Sequence, residues 1–194
     1  IDLGCGSGYY CRLFAQAGKT IVGVDGSKTQ LSLAMKQEKN HPLGIKYNKS
    51  NLQKLKGINS NSFDVALLIF VIVEIGNKKI IRNIFKEAYR VLKSNGILII
   101  GQVHPHNLNK KNKIVEKTLL RKSNSYFSDA APAKSKTLLA NGKYLVFEKD
   151  YHYSLEFILN SLSNTGFALD SINELSHNEK FPSHIVITAK KLSD

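Results

Sequence analysis

The feature that most constrains this chain is its opening stretch, IDLGCGSG, Ile1 to Gly8. An apolar strand end carries an acid, Asp2, and runs directly into Gly4, Gly6 and Gly8. Glycine is needed where the backbone must take positive φ or let a ligand approach closely. Between a strand and a helix, such a turn aims backbone N–H groups at an anion or a polar ligand. The helix signal follows at once. Tyr10, Leu13, Phe14 and Ala17 recur at helical spacing, and Gly18 fits the position just past the helix end.

The glycine spacing separates two kinds of site. A dinucleotide site asks for G-x-G-x-x-G, and here Gly4 and Gly6 fit but the third position is Tyr9. The residues read instead as D-x-G-x-G-x-G. Seventeen residues after Gly8 a short apolar strand, IVGVDGS, ends on Asp25. An acid at that point is placed to accept hydrogen bonds from ribose hydroxyls.

The remaining chain alternates strands with helices. Ser27 and Gln30 form a capping-box signature ahead of a helical face made by Leu31, Ala34 and Met35. Ile45 to Asn48 reads as a short third strand, followed by a polar connection from Lys49 to Ser62. FDVALLIFVIV, Phe63 to Val73, has the near-continuous apolar pattern of a strand buried on both faces, with its last residues turning into a loop or short helix near Phe70. A helix is expected from about Lys78 to Lys93, ended by Ser94-Asn95-Gly96, and then a buried strand at Ile97 to Ile100. Residues 104–142 are polar, lysine-rich and weakly periodic, as in a lid or binding insertion. Gly142 to Asp150 looks extended, and Leu155 to Leu162 helical. Two strands follow, Phe167 to about Glu174 and His184 to Lys190. The alternation predicts a single domain with a doubly wound α/β sheet and helices on both faces. The chain opens on Ile1 inside its first strand, so the N-terminal part of that strand is expected to lie before it.

The sequence contains no run approaching the ~18 apolar residues of a membrane span. Cys5 and Cys11 read as small buried residues in a reducing cytoplasm rather than as a disulfide framework. The net charge is +13, and only Arg12, Arg82, Arg90 and Arg121 are arginine. Scattered lysine differs from the clustered arginine of a nucleic-acid reader, and Asn109 to Ser123 is the densest basic stretch. No H-x-x-x-H or paired C-x-x-C spacing proposes a metal site.

Taken together these segments resemble the class I S-adenosylmethionine (SAM) methyltransferases, of the small-molecule, methyltransferase type 11 kind. IDLGCGSG resembles the family's first motif, FDVALLIFVIVEI its fourth strand, and YRVLKSNGILII the helix-turn-strand that follows. The resemblance implies a Rossmann-like seven-stranded sheet with the last strand antiparallel between its neighbours. It implies SAM as cofactor and a methyl transfer to O, N or C of a small-molecule acceptor. By position, Asp2 and the backbone of Gly4, Cys5, Gly6 and Gly8 would face the methionine part of SAM. Asp25 would hold the ribose, with Gly26 and Ser27 beside it. Leu68 and Ile69 would offer backbone groups to the methionine amine. Asn51 and Leu52 stand where the family often has Asp followed by Ala or Leu beside the adenine, and Asn keeps a carbonyl acceptor. Glu74 stands where many relatives have His.

Where the acceptor must lose a proton, a base is needed. His104, just after the fifth strand, and His152, before the late helix, are the candidates, with His106 behind them. Two other readings stay open beside small-molecule transfer. One is a tRNA or other nucleic-acid methyltransferase, suggested by the charge. The other is a non-catalytic SAM-binding member, suggested by Asn51 and Glu74.

Overall fold

FDVALLI becomes β4, Phe63–Ile69, and its continuous apolar run has a direct structural cause. Leu68 points into the cluster beneath one sheet face, and Leu67 into the cluster on the other. The computed structural model describes residues 1–107, 115–119, 126–138, 142–176 and 182–193. Around β4 the sheet is built from β1 (Asp2–Leu3), β2 (Val22–Asp25), β3 (Lys46–Lys49), β5 (Leu92–Val103), β9 (Phe167–Leu175) and β10 (His184–Lys191). Its order is β3-β2-β1-β4-β5-β10-β9. Neighbours from β3 to β5 run parallel, and β10 is antiparallel to both β5 and β9. The expected seven-stranded Rossmann-like sheet is therefore present, with its last strand inserted between two others.

Helices cover both faces. α1 (Tyr9–Gln16) and α2 (Lys28–Asn40) bury Cys11 and Leu31 against Leu67. On the other face α3 (Lys78–Val91) and α4 (Leu155–Ser163) bury Ile81, Phe85, Ala88 and Ile158 against Leu68, Leu98 and Ile100. The capping signatures are realised. Ser27 accepts from the Gln30 N–H at 3.3 Å, and Asn77 accepts from Lys79 and Ile80 at the start of α3.

Two expectations change. The turn foreseen at Ser94-Asn95-Gly96 is a kink inside β5, with Asn95 at φ 63, and the β4–β5 register shifts between Phe63 and Val65. The segment read as weakly structured holds β6 (Val115–Leu119) and β7 (Ala131–Leu138), which join β8 (Tyr144–His152), the stretch read as extended, in a second, antiparallel sheet. Residues 108–114 and 120–125 of this segment lie outside the described residues. The period-two signal in β7 was hidden because its buried positions, Ala133 and Ser135, are small, with Lys134 turned out between them. β8 packs on a single 3₁₀ turn, Ile72–Glu74, that follows β4.

Lys191 closes the far edge of this core. Its ammonium is buried and donates to the Tyr89 and Leu92 carbonyls, at 2.9 and 2.8 Å, and to Asn61 Oδ1 at 2.8 Å. A cation at the end of α3 meets the negative end of the helix dipole. Lys191→Met keeps the stem and strands these acceptors. It should lower unfolding free energy by about 2–4 kcal/mol, read from urea midpoints.

Candidate functional site

The chain leaves β1 through Gly4 and Gly6, at φ 83 and 52, and enters α1 through Gly8 at φ 85. A side chain at Gly4 would meet Val71 Cγ2 at 2.5 Å, so the loop lies directly against the residues that follow β4. At Gly6 the space is open, the nearest atom to an added Cβ being Gln30 Oε1 at 3.9 Å. Asp25, at the end of β2, fixes this loop. Its Oδ2 accepts from the Gly6 N–H at 2.8 Å and its Oδ1 from the Ser27 N–H at 2.7 Å. One carboxylate thereby ties the turn after β1 to the turn after β2.

These groups open onto a cavity of about 1140 Å³ at the C-terminal ends of β1, β2 and β4. Of the residues singled out from sequence, Gly4, Cys5, Gly6, Asp25, Gly26, Ser27, Asn51, Leu52 and Ile69 line it. Five do not. Gly8 is the N-cap of α1, and a side chain there would strike the Tyr47 hydroxyl. Leu68 lies one residue too deep, its side chain fully buried in the core. Asp2 is buried under the loop, where its Oδ2 accepts from Cys11 Sγ at 3.3 Å.

His104 and His152, the candidate bases, also lie outside the cavity wall. Both are buried. His104 Nδ1 accepts from the His106 N–H at 3.0 Å, so Nε2 carries the hydrogen that it shares with Glu174 at 2.8 Å. His152 Nε2 is paired with the Tyr126 carbonyl at 2.7 Å. Position after a strand end was the signal for His104, but β5 runs on to Val103 and turns its successor toward β9.

Other lining residues were less legible. Phe70 has a left-handed backbone, φ 58, which is rare for a bulky residue, and its N–H donates to the Gly101 carbonyl at 2.8 Å. That kink turns the chain out of β4 and sets Phe70, Val71, Glu74 and Ile75 into the cavity wall. No residue type announced it. Lys49, the last residue of β3, and Lys54 and Lys56, in the loop that follows, also line the cavity. Asn51 Oδ1 accepts from the Gln53 N–H at 2.9 Å, a local turn that was readable from an Asn in a polar run. α3 holds that loop in place. Glu87 accepts from the Leu55 N–H, and Arg90, paired with Glu87 at 2.9 Å, donates to the Ile58 carbonyl.

Glu74 faces the cavity, and its carboxyl pKa is raised by partial desolvation first and then by the carboxylates of Asp25 and Asp150. Among the described residues no metal-binding cluster of His, Cys, Asp or Glu occurs. No described helix is long and apolar enough to cross a membrane.

Residues 1–100, which carry the glycine loop, Asp25, Asn51 and the β4 kink, match the family described as a methyltransferase domain. The chain belongs to this methyltransferase-domain family. It is 30% identical over 104 residues to the ubiquinone biosynthesis O-methyltransferase of Pelagibacter ubique, covering 54% of this chain and 41% of that protein. It is 29% identical over 176 residues to an uncharacterized methyltransferase of Bacillus subtilis, covering 89% of this chain and 66% of the relative. The chain thus spans less than two thirds of these curated relatives. Its fold is that of the SAM-dependent methyltransferases. The structure of such an enzyme from Clostridium acetobutylicum superposes with a TM-score of 0.74 at 18% identity, covering 99% of this chain and 83% of the other.

Asp2 gives this methyltransferase domain a pH signature. Burial raises its pKa from 3.8 to about 6, against the hydrogen bond from Cys11, which lowers it. Between those values the folded chain keeps a proton that the unfolded chain has released, so stability falls as pH rises through that window. Asp2→Asn removes this dependence. Its unfolding free energy relative to the parent should rise by about 2–3 kcal/mol from pH 4 to pH 7, checked by urea titrations across that range.

Proposed function

We propose that this domain binds SAM in the cavity over β1, β2 and β4 and methylates a small-molecule acceptor. One observation carries the reading. A glycine loop with open backbone and an acid that organises it share one cavity with an apolar wall. Those residues fit the cofactor. Gly4 to Gly6 offer close backbone approach, Asp25 retains lone pairs for a ribose diol, and Ile69 supplies apolar contact. When bound, SAM supplies a methyl group on a sulfonium, and the departing group is neutral. The protein's part is then chiefly to align donor and acceptor.

Asn51 sits where the adenine edge is expected. Its carbonyl oxygen already caps Gln53, so its amide N–H groups or the oxygen's second lone pair would meet the base. On the acceptor side we place the β6–β7–β8 sheet. In support, β8 packs on the turn that carries Glu74, and the Tyr153 hydroxyl donates to the Ile75 carbonyl. The name of the Pelagibacter relative, a ubiquinone biosynthesis O-methyltransferase, supports a small-molecule acceptor.

Calorimetry with S-adenosylhomocysteine tests the reading. The parent should bind it and NADH should not compete. Asp25→Ala should weaken binding by about 10- to 100-fold, as expected for losing a charge-assisted hydrogen bond and loosening the loop. Binding of NADH in place of S-adenosylhomocysteine would overturn the assignment.

Asn51→Asp should keep or improve affinity. An aspartate can cap Gln53 with one oxygen and present the other, a stronger acceptor, to the adenine amine. A large loss of S-adenosylhomocysteine affinity in the same titration would remove Asn51 from the adenine edge.

A further inference from the structure

We propose that the outer face of α3 and the loop after β3 form a binding surface for the sugar–phosphate backbone of a nucleic acid. This surface lies beside the cavity and does not depend on what the cavity holds. Along the sequence the lysines look scattered, but the fold gathers one group of them. Residues 49–62 and 78–91 hold eight lysines and arginines and a single acid, Glu87, so nearly all the charge of this surface has one sign. Glu87 is already engaged: it pairs with Arg90 at 2.9 Å and accepts from the Leu55 N–H at 2.6 Å. The two stretches are strapped together. Arg90 donates to the Leu55 and Ile58 carbonyls, and Asn83 Nδ2 donates to Gln53 Oε1 at 3.4 Å.

The cations of this joined surface face solvent. Lys79, Arg82 and Lys86 recur at i, i+3 and i+7, so they share one exposed stripe of α3, about 10 Å long. The other side of the helix is committed to the core through Ile81, Ile84, Phe85 and Ala88. Lys49, Lys54 and Lys56, all exposed, carry the positive charge on to the cavity rim. None of these cations forms an ion pair among the described residues. Two acids of adjoining segments are taken by other lysines, Asp129 by Lys78 and Asp64 by Lys93. Arg82 is steadied over the Phe157 ring, 5.4 Å from its centroid.

The residue types select the partner. Protein–protein interfaces favour aromatic anchors and are depleted in lysine. A helix seated on a membrane needs an exposed apolar face, and α3 has turned its apolar face inward. What remains outside is a strip of cations interleaved with the amides of Asn51, Gln53 and Asn83, the side-chain chemistry that holds phosphate and sugar. Affinity on such a strip comes from displaced counterions, so it is steeply salt-dependent.

The test titrates the whole chain, by fluorescence anisotropy, into labelled oligouridylate of about a dozen nucleotides and into its duplex with oligoadenylate. At least one should bind, with log affinity falling on log salt with a slope of about −3 to −5, as for roughly four to six neutralised phosphates. Lys79→Gln, Arg82→Gln and Lys86→Gln combined should make that slope shallower by about 2 to 3 and weaken binding by about 10- to 50-fold at about 100 mM salt. The urea midpoint should stay unchanged, since all three side chains are exposed. Lys19→Gln, Lys36→Gln and Lys39→Gln combined remove the same charge from exposed positions on and beside α1 and α2, across the sheet, and should cost no more than about threefold. Failure of both nucleic acids to bind at about 50 mM salt would overturn the proposal, and so would equal losses in the two triple variants, which would reduce the effect to net charge. Polyglutamate competing as strongly as oligouridylate, or tighter retention on phosphatidylglycerol vesicles than on either nucleic acid, would also overturn it and give the face to an acidic protein or to a membrane.

Discussion

The site depends on how one carboxylate is shared. Asp25 accepts from the backbone of Gly6 with one oxygen and of Ser27 with the other. The first bond holds a loop whose glycines would otherwise sample many conformations, and the second holds the start of α2. Hydrogen bonds to an ionised acceptor are the stronger kind, and here they convert two independent turns into one rigid edge of a cavity. Gly4 extends that edge to a third turn, because its missing side chain lets Val71 close over the loop. Three strand ends thus meet at a switch in the sheet order, which is where open α/β sheets expose loop backbone to a ligand.

The opposite wall rests on a different constraint. Phe70 is held with φ 58, a conformation that favours glycine, and the hydrogen bond from its N–H to Gly101 helps to hold it there. The kink sends the 3₁₀ turn across the cavity rather than continuing the strand. Strain of this sort persists only where surrounding contacts fix it. Here β8 packs on the turn, and Gly76 leaves no room between the backbone and the Tyr151 ring. The second sheet therefore braces the part of the cavity wall that carries Glu74.

Much of this was legible in the sequence because it depends on residue types with few uses. Glycines at Gly4, Gly6 and Gly8, an acid ending a short apolar strand, and a run buried on both faces each admit one common structure. The two histidines were misleading, since chain position alone chose them and the fold spends their ring nitrogens on Glu174, His106 and the Tyr126 carbonyl. Phe70 was illegible because the information lies in its backbone angle. β7 was illegible because it buries Ala133 and Ser135 rather than large residues, so its alternation has little hydrophobic contrast. Glu74 was visible as a departure from the family pattern, but its place on the cavity wall could only be read in three dimensions.

The inserted strand has a consequence for how the chain assembles. β10 follows every other strand in sequence, yet it supplies the hydrogen bonds that join β9 to the remaining sheet. During synthesis β1 to β5 can pair while β9 waits with an open edge. Lys191, on the same strand, then reaches back to Asn61, Tyr89 and Leu92, so a late-arriving residue seals the end of an early helix. Such long-range closure is slow because loop entropy is lost before the contacts form. Until β10 docks, the nascent sheet presents unpaired strands, and the exposure of its own nearly finished edge is the main hazard this topology must survive.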